Sequence, residues 1–302
     1  MIRTEALSFS YPDGTQALRE VNLEVRDGEF LTLMGANGCG KTTLLKHFIG
    51  LLKPSAGKVF LNGKEFRFFK DEEIFKRVGM VFQDPSDQLF ASTVEQDVAF
   101  GAVNLGLKPD EVARRTTEAL KMVGILGLSD KAIHTLSFGQ KRRATIAGVL
   151  AMEPKIILLD EPTSGLDPRG VSLIMRLLRK LNKERGITMV MATHDVELVP
   201  LFCDRVAIMG QGKIVGEGTP ERIFANTAMT REAGLRLPRV SHLIEILKKE
   251  DGIHFQKIPV TIGQARRELL KFMESWHAGE ESTHTELTLS DRHRLYVGDE
   301  ES

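Results

Sequence analysis

Cysteine is scarce in this chain, and the two that occur cannot build a disulfide framework. Cys39 and Cys203 lie far apart and have no metal-ligand spacing. Such usage is typical of a reducing compartment and argues against a small disulfide-stabilised secreted domain. The N-terminus also lacks the charged and then apolar run of a secretory signal, so we expect a cytoplasmic protein.

Long apolar runs and an excess of charge of one sign are missing as well. The apolar stretches are strand-sized, well below the roughly 18 residues that a membrane-spanning helix needs. Lys and Arg total 41 and Asp and Glu also total 41, so the formal net charge is zero. Neutrality argues against a nucleic-acid partner. The remaining composition, 42% hydrophobic and 27% charged over 302 residues, is that of an ordinary globular chain.

A glycine-rich segment is the strongest motif that is present. Residues 35–42, the phosphate loop, have the pattern G-x-x-x-x-G-K-[ST] between an apolar strand at 30–34 and a helix. Backbone N–H groups of such a loop surround nucleotide phosphates, with Lys41 on the β- and γ-phosphates and Thr42 on Mg²⁺. The predicted nucleotide-binding residues are Gly35, Ala36, Asn37, Gly38, Cys39, Gly40, Lys41, Thr42 and Thr43.

Two carboxylates end a second apolar strand at residues 156–161. Four consecutive apolar residues are typical of a strand buried on both faces, and ligands of open α/β sheets bind where such strands end. We therefore expect Asp160 to hold Mg²⁺ and Glu161 to orient and polarise an attacking water. A solvated acid pair that merely ends a core strand is the alternative, and the phosphate loop favours the functional interpretation.

Three more motifs make the chain similar to the ATP-binding cassette (ABC) family over about residues 1–225. The signature, residues 136–140, is Leu-Ser-Phe-Gly-Gln and lies between the phosphate loop and the acidic strand. Gln83 and His194 each follow an apolar strand, in the order that the family has. The resemblance implies hydrolysis of ATP with Mg²⁺ by a pair of subunits that associate head to tail.

The resemblance also implies roles for individual residues. Tyr11 stacks on adenine, although an aromatic beside a turn at 12–14 is often only packing. Gln83 contacts Mg²⁺ and the attacking water, which makes Thr42, Gln83 and Asp160 the predicted metal set. His194 bonds the γ-phosphate and joins Glu161 and Gln83 as a catalytic residue. The signature residues expected to contact the ATP of the opposite subunit are Ser137, Gly139 and Gln140.

The signature departs from the usual Leu-Ser-Gly-Gly-Gln at Phe138. A phenylalanine requires only that this position not need a positive φ, so the backbone role can survive with a bulky ring added. We expect the departure to change the fine geometry of closure rather than the activity. Leu-Ser-Phe-Gly-Gln followed by Lys-Arg-Arg resembles the ATPases of cobalt and nickel importers.

The predicted fold class is α/β, a P-loop NTPase of the ABC ATPase type. Alternation of apolar and polar residues over 2–34 predicts an antiparallel β layer, and helical periodicity over about 92–150 predicts an inserted α-helical subdomain. From Lys155 a parallel sheet resumes, and a hairpin turning at 211–212 closes the cassette.

A small C-terminal extension, residues 226–277, contains predicted helices at 240–249 and 264–276. It resembles the extension of energy-coupling-factor ATPases, the import group for vitamins, cobalt and nickel, where it helps two ATPases to associate. Residues 84–90 also resemble that group, and Leu89 and Phe90 in them are candidates to line a groove for a helix of a transmembrane subunit. Residues 278–302 are predicted to be a flexible polar tail.

Other nucleotidases lack support in the sequence. A GTPase needs Asn-Lys-x-Asp, and the nearest match, residues 182–185, lacks the Asp. A chromosome-maintenance ATPase would be split by a long coiled coil, and a translation-factor ATPase would carry two cassettes. A soluble non-transport ATPase is the runner-up, and vitamin uptake is the alternative cargo.

We therefore expect an ATPase that drives an energy-coupling-factor importer of cobalt or nickel from the cytoplasmic face of the cell membrane, as a peripheral protein. The expected partners are an identical or second ABC ATPase, a transmembrane coupling subunit and a substrate-binding membrane component.

Overall fold

The computed structural model describes residues 1–253, 255 and 257–280, and they form two β-sheets flanked by helices. The first sheet is antiparallel, with strand order β2-β1-β4-β5. Its strands are β1 (Ile2–Ser10), β2 (Gln16–Val25), β4 (Ala56–Leu61) and β5 (Lys64–Glu65). Alternating exposure along β1 and β2 shows that one face of this sheet covers a core and the other faces solvent.

The second sheet has six strands in the order β10-β9-β3-β8-β7-β6 and is parallel except for β10. Its members are β3 (Phe30–Met34), β6 (Val78–Val81), β7 (Ile156–Asp160), β8 (Thr188–Thr193), β9 (Arg205–Gly210) and β10 (Lys213–Gly218). Every residue of β3, β6, β7 and β8 is buried, as expected for strands covered on both faces. The hairpin of β9 and β10 turns at residues 211–212, which confirms that prediction.

The predicted antiparallel layer over 2–34 was wrong in its last strand. β3 pairs in parallel with β8 and β9 and belongs to the second sheet. The physical reason is its composition, because five consecutive buried residues cannot present a solvated face. The first sheet is completed instead by β4 and β5 from beyond the phosphate loop.

Helices cover the second sheet and form the inserted subdomain. They are α1 (Lys41–Phe48), α2 (Asp71–Phe75), α3 (Val94–Asn104), α4 (Pro109–Met122), α5 (Phe138–Ala151), α6 (Pro168–Arg185) and α7 (Val199–Phe202). The subdomain predicted at 92–150 is the packed group of α3, α4 and α5. Thr93 and Ser137 cap the first turns of α3 and α5, each in a capping box with a glutamine.

The C-terminal part of the described chain is helical and packs on the cassette. Its helices are α8 (Pro220–Ala225), α9 (Thr227–Glu232), α10 (Arg239–Lys249) and α11 (Ile262–Glu280). Leu235, Leu237 and Val260 of the extension belong to the same buried cluster as the helical subdomain. The predicted tail at 278–302 overlaps α11 up to residue 280, and the rest of it lies outside the described residues. Across the part of the chain that the structure covers, every helix is too short or too polar to span a bilayer.

Candidate active site

The phosphate loop connects β3 to α1 and is packed so tightly that two of its glycines admit no side chain. A Cβ at Gly35 would lie 2.3 Å from the Met209 carbonyl oxygen, and one at Gly40 would lie 2.6 Å from that of Ala17. Both glycines have positive φ, at 155° and 106°. The loop therefore takes its shape from backbone that only glycine permits.

Lys41 lies within this loop at the start of α1. Its Nζ donates to the carbonyl oxygens of Gly35 at 2.8 Å and Ala36 at 3.0 Å, and the residue is only 7% exposed. A lysine ammonium has three donors, and two weak neutral acceptors satisfy it less well than phosphate oxygens do. The side chain is thus held where an incoming phosphate can replace the carbonyls.

Thr42 and Thr43 connect the loop to two other predicted residues. The Thr42 hydroxyl interacts with the carboxyl of Asp160 at the end of β7 and lowers its pKa. The Tyr11 hydroxyl lies 3.0 Å from Thr43 Oγ1, and the Tyr11 ring packs edge-on against Phe9 at 5.0 Å. Tyr11 therefore stands beside the first turn of α1, on the antiparallel sheet's side of the loop.

Asp160 has the chemistry of a magnesium ligand. It is 2% exposed, and burial raises the pKa of its carboxyl, while the hydrogen bond from Thr42 lowers it again in part. A carboxylate beside a threonine hydroxyl is a pair of hard oxygen donors, which Mg²⁺ prefers and completes with phosphate oxygens and water. Positive charge at this point would favour the ionised carboxylate, so the residues present fit the metal.

Glu161 is held on three sides where β7 ends. Its Oε2 accepts from Thr193 Oγ1 at 3.2 Å, and its Oε1 lies 2.8 Å from Nδ1 of His194. Its own N–H donates to the Ala192 carbonyl at 2.9 Å. The backbone of Glu161 has φ of 46°, the left-handed region that glutamate seldom adopts, and such strain is concentrated at functional sites. The structure thus brings together Glu161 and His194 from neighbouring strands.

Gln83, the third predicted metal ligand, is held through its backbone by the helical subdomain. Its side chain is exposed, while its carbonyl oxygen accepts a hydrogen bond from Arg142. Gln88 steadies the preceding strand, because its amide accepts from Phe82 N–H at 3.1 Å and donates to the Met80 carbonyl at 3.2 Å. Among the described residues, the side chain of Gln83 has no hydrogen bond to Asp160 or Thr42.

The signature begins α5, on the helical subdomain. Ser137 is exposed, and its hydroxyl accepts from Gln140 N–H at 3.3 Å while the Gln140 side chain accepts from Ser137 N–H at 3.0 Å. Within the described part of the chain, these bonds stay in the first turn of α5 and none reaches the phosphate loop.

An apolar groove runs between the second sheet and the helical subdomain. Its cavity of about 550 Å³ is lined by Phe75, Phe82, Phe90, Phe100 and Met152, among others. Phe90 is 65% exposed and packs edge-on against Phe100 at 4.6 Å between ring centroids. The prediction for Leu89 was wrong, since it is 8% exposed and joins the buried core of the subdomain. Phe90 lines the groove and Leu89 does not.

Sequence reasoning missed the approach of the extension to the phosphate loop. A Cβ at Gly234 would lie 3.0 Å from the Cβ of Ala36, and the Arg239 N–H at the start of α10 donates to Glu197 Oε1 at 2.8 Å. A cavity of about 940 Å³ separates the two parts, with Ala36, His194 and Arg236 in its wall.

A phosphate loop, a buried acid pair and a helix-capping signature on one α/β core define a P-loop ATPase built as a cassette. Comparison with known proteins agrees. A match to the ABC transporter family covers residues 18–164. The energy-coupling factor transporter ATP-binding protein EcfA of Methanocaldococcus jannaschii is 51% identical over 276 residues, which is 91% of this chain and 98% of that protein.

Two further relatives agree in sequence and in structure. EcfA3 of Clostridium perfringens, an energy-coupling factor transporter ATP-binding protein, is 48% identical over 278 residues, 91% of this chain and 96% of that protein. The structure of cbiO1 from Clostridium perfringens, part of the ABC transporter complex cbiONQ, superposes with a TM-score of 0.70 at 48% identity, covering 81% of this chain and 98% of that one.

A dimeric cassette, MJ0796, bound to ADP and Pi in a post-hydrolysis state, superposes with a TM-score of 0.67 at 32% identity, covering 73% of this chain and 99% of that one. The chain belongs to the ABC ATPases of the energy-coupling-factor type. It is the ATP-binding subunit, whose ATPase activity is coupled to transport.

Proposed function

We propose that this ATPase hydrolyses ATP with Mg²⁺ to drive an importer whose cargo is cobalt or nickel. The observation that carries the hydrolysis part of the proposal is the convergence of Lys41, the Thr42–Asp160 pair and the Glu161–His194 pair at one edge of the second sheet. The cargo rests on the resemblance of the signature, residues 136–140, to that of cobalt and nickel importer ATPases. Each group has the chemistry that phosphoryl transfer to water needs: a cation for the phosphates, oxygen ligands for the metal and a carboxylate base.

Glu161 acts on the attacking water in this proposal. Its carboxylate accepts a proton from the water while Thr193 and His194 hold it in one orientation. Thr42 and Asp160, with Gln83, would hold Mg²⁺, which when bound neutralises charge on the phosphates. Lys41 exchanges its two carbonyl partners for phosphate oxygens, because a hydrogen bond between two charged groups is stronger.

The proposal includes a head-to-tail dimer, homomeric or with a second ABC ATPase. Ser137 and Gly139 lie at the exposed first turn of α5, where backbone N–H groups and the helix dipole favour an anion. The dimeric state of the MJ0796 cassette supports this arrangement. Leu243 of α10 and Ile262 of α11 are 50% and 81% exposed, and they are candidates for an additional contact between two extensions.

The groove is proposed to receive a short helix of a transmembrane coupling subunit. Phe90 and Phe100 supply an aromatic anchor of the kind that dominates interfaces. The relative cbiO1 is part of the complex cbiONQ, which supports a membrane partner. The chain would then be a peripheral protein at the cytoplasmic face, beside a separate membrane component that binds the cargo.

Phe90→Ala is expected to weaken binding of the coupling subunit by ~10-fold, because a buried aromatic anchor is worth about 1–2 kcal/mol or more at an interface. Basal ATPase activity of the isolated chain should stay within twofold. Phe68→Ala is the matched control, since Phe68 is 60% exposed and outside the groove. Pull-down of the detergent-solubilised coupling subunit measures the effect. If both variants recover the same amount of the coupling subunit, the groove is not its binding site.

An uptake assay tests the identity of the cargo independently of the groove. Vesicles carrying the reconstituted transporter should accumulate radioactive cobalt or nickel when supplied with ATP, and Lys41→Ala should stop the accumulation. Transport of a vitamin with no metal uptake would overturn the cargo and leave the ATPase role intact. ATP hydrolysis with no associated membrane protein would favour a soluble ATPase.

A further inference from the structure

Arg142, in the second turn of α5, is a fully buried cation. It hydrogen-bonds to the backbone directly after β6. Its guanidinium donates to the Phe82 carbonyl at 2.6 Å and to the Gln83 carbonyl, and the residue is 0% exposed. Burial lowers the pKa of Arg142, and the carboxylates of Asp84, Asp160 and Glu161 oppose that shift. A desolvated charge is costly unless it is hydrogen-bonded, so the two carbonyls are tightly held partners.

Phe138, the departure in the signature, covers this arginine. The Arg142 Cζ lies 5.6 Å from the centroid of the Phe138 ring. The ring also packs on Gly165, where an added Cβ would lie 2.7 Å from a ring carbon. Gly165 belongs to the loop that ends in Asp167, the cap of α6. One aromatic ring therefore lies between the arginine and a loop that follows the catalytic strand.

We propose that Arg142, Phe138 and Gly165 form a clamp that makes the position of Gln83 depend on the position of the signature. Arg142 is a positioning residue, which acts through the Gln83 backbone. The inference rests on the proposed function, because it concerns Gln83 as a metal and water ligand. It adds a physical connection inside one subunit between Gln83, which serves that subunit's own ATP, and Ser137, which serves the neighbour's.

The connection follows from the stiffness of α5. Ser137 caps this helix and Arg142 follows in its next turn, so the two residues move as one body. A displacement of the signature toward a neighbour's nucleotide must then displace the Phe82 and Gln83 carbonyls or break two buried hydrogen bonds. An unpaired buried donor or acceptor is costly, so displacement of the carbonyls is favoured. The two ATP sites are expected to be coupled through the clamp.

Arg142→Met tests the clamp with the full-length ATPase. Methionine fills the space without a donor, so the Phe82 and Gln83 carbonyls lose their buried partner and some loss of stability is expected. We expect kcat to fall by ~10-fold or more, because small misplacements of catalytic groups have effects of this size. The KM for ATP should stay within about twofold, the apparent Mg²⁺ requirement should rise, and cooperativity in ATP should disappear. Arg142→Lys, which keeps the positive charge on a single donor nitrogen, should recover part of the kcat, of the Mg²⁺ affinity and of the cooperativity.

Arg115→Met is the matched control, because Arg115 is a partly buried arginine of α4 that bonds Glu111 and is remote from Gln83. It should leave kcat, the Mg²⁺ requirement and cooperativity unchanged. A folded Arg142→Met with wild-type values in all three would overturn the proposal. Thermal melting establishes that the variant is folded.

A second experiment decides the question even if Arg142→Met does not fold. Gly165→Ala should reduce kcat more in the wild type than in the Phe138→Gly background, by several-fold, because the added methyl meets the ring only when the ring is present. Gly63→Ala controls for backbone strain, since Gly63 has a similar φ of 79° with open space around it. Equal losses in both backgrounds would overturn the clamp.

Glu161→Gln, measured in the same assay, separates this inference from the proposed function. A Glu161→Gln variant that keeps its rate defeats the proposed catalytic site itself. If Glu161→Gln loses its rate and Arg142→Met keeps wild-type kinetics, only the clamp is refuted.

Discussion

Glu161→Gln is expected to lower ATP turnover by ~10² or more, because the amide keeps the shape of the side chain and removes the base. The hydrogen bond from Thr193 to the Oε2 position and the contact with His194 can both persist, so the fold and the nucleotide pocket should survive. ATP affinity should therefore stay close to that of the wild type. Phosphate release under saturating Mg²⁺ and ATP measures turnover, and equilibrium binding of a fluorescent ATP analogue measures affinity.

Glu232→Gln is the matched control for this substitution, because it makes the same chemical change at an exposed position of α9. It should leave turnover unchanged. A Glu161→Gln variant that retains more than half of the wild-type rate would contradict the assignment of the base.

Ser137→Arg is expected to abolish hydrolysis while the isolated chain still binds ATP. Ser137 is exposed at the N-cap of α5, so an arginine there fills the gap that the neighbour's γ-phosphate would occupy. Loss of the serine cap costs about 1 kcal/mol of stability, too little to unfold the subdomain. ATPase assays, binding by the monomer and thermal melting give the three measurements.

Mixing two inactive variants tests whether each ATP site is shared between two subunits. A dimer of one Ser137→Arg chain and one Lys41→Ala chain contains one complete site, so the mixture should regain part of the activity that neither variant has alone. Ala113→Arg, at an exposed position of α4, is the control and should hydrolyse ATP normally. Loss of ATP binding by the Ser137→Arg monomer would refute the shared site.

Much of the candidate site could be predicted because its chemistry is local. The phosphate loop works through backbone N–H groups and two side chains that are consecutive in sequence, and the acid pair follows directly from a buried strand. The structure placed Thr42 beside Asp160 and Glu161 beside His194, as parallel strands that end at one edge require.

Other features depend on neighbours that are distant in sequence. Periodicity could not separate β3 from the antiparallel layer that precedes it, because sheet membership is decided by pairing with β8 and β9. Leu89 and Phe90 are adjacent apolar residues, and only the packing of the helical subdomain turns one inward and the other toward the groove.

The sequence by itself determined that this protein is an α/β ATPase with a phosphate loop, an acid pair at the end of a buried strand and a signature, since each of these is a short motif. Only the tertiary structure decided that Arg142 is buried against the Gln83 backbone, that Phe138 lies on Gly165, and that the extension packs on the phosphate loop through Gly234. The physical reason is the separation in sequence of the residues that interact. Motif chemistry acts over a few consecutive residues, whereas these contacts join segments separated by tens to hundreds of residues, and their geometry exists only once the sheets and helices have packed.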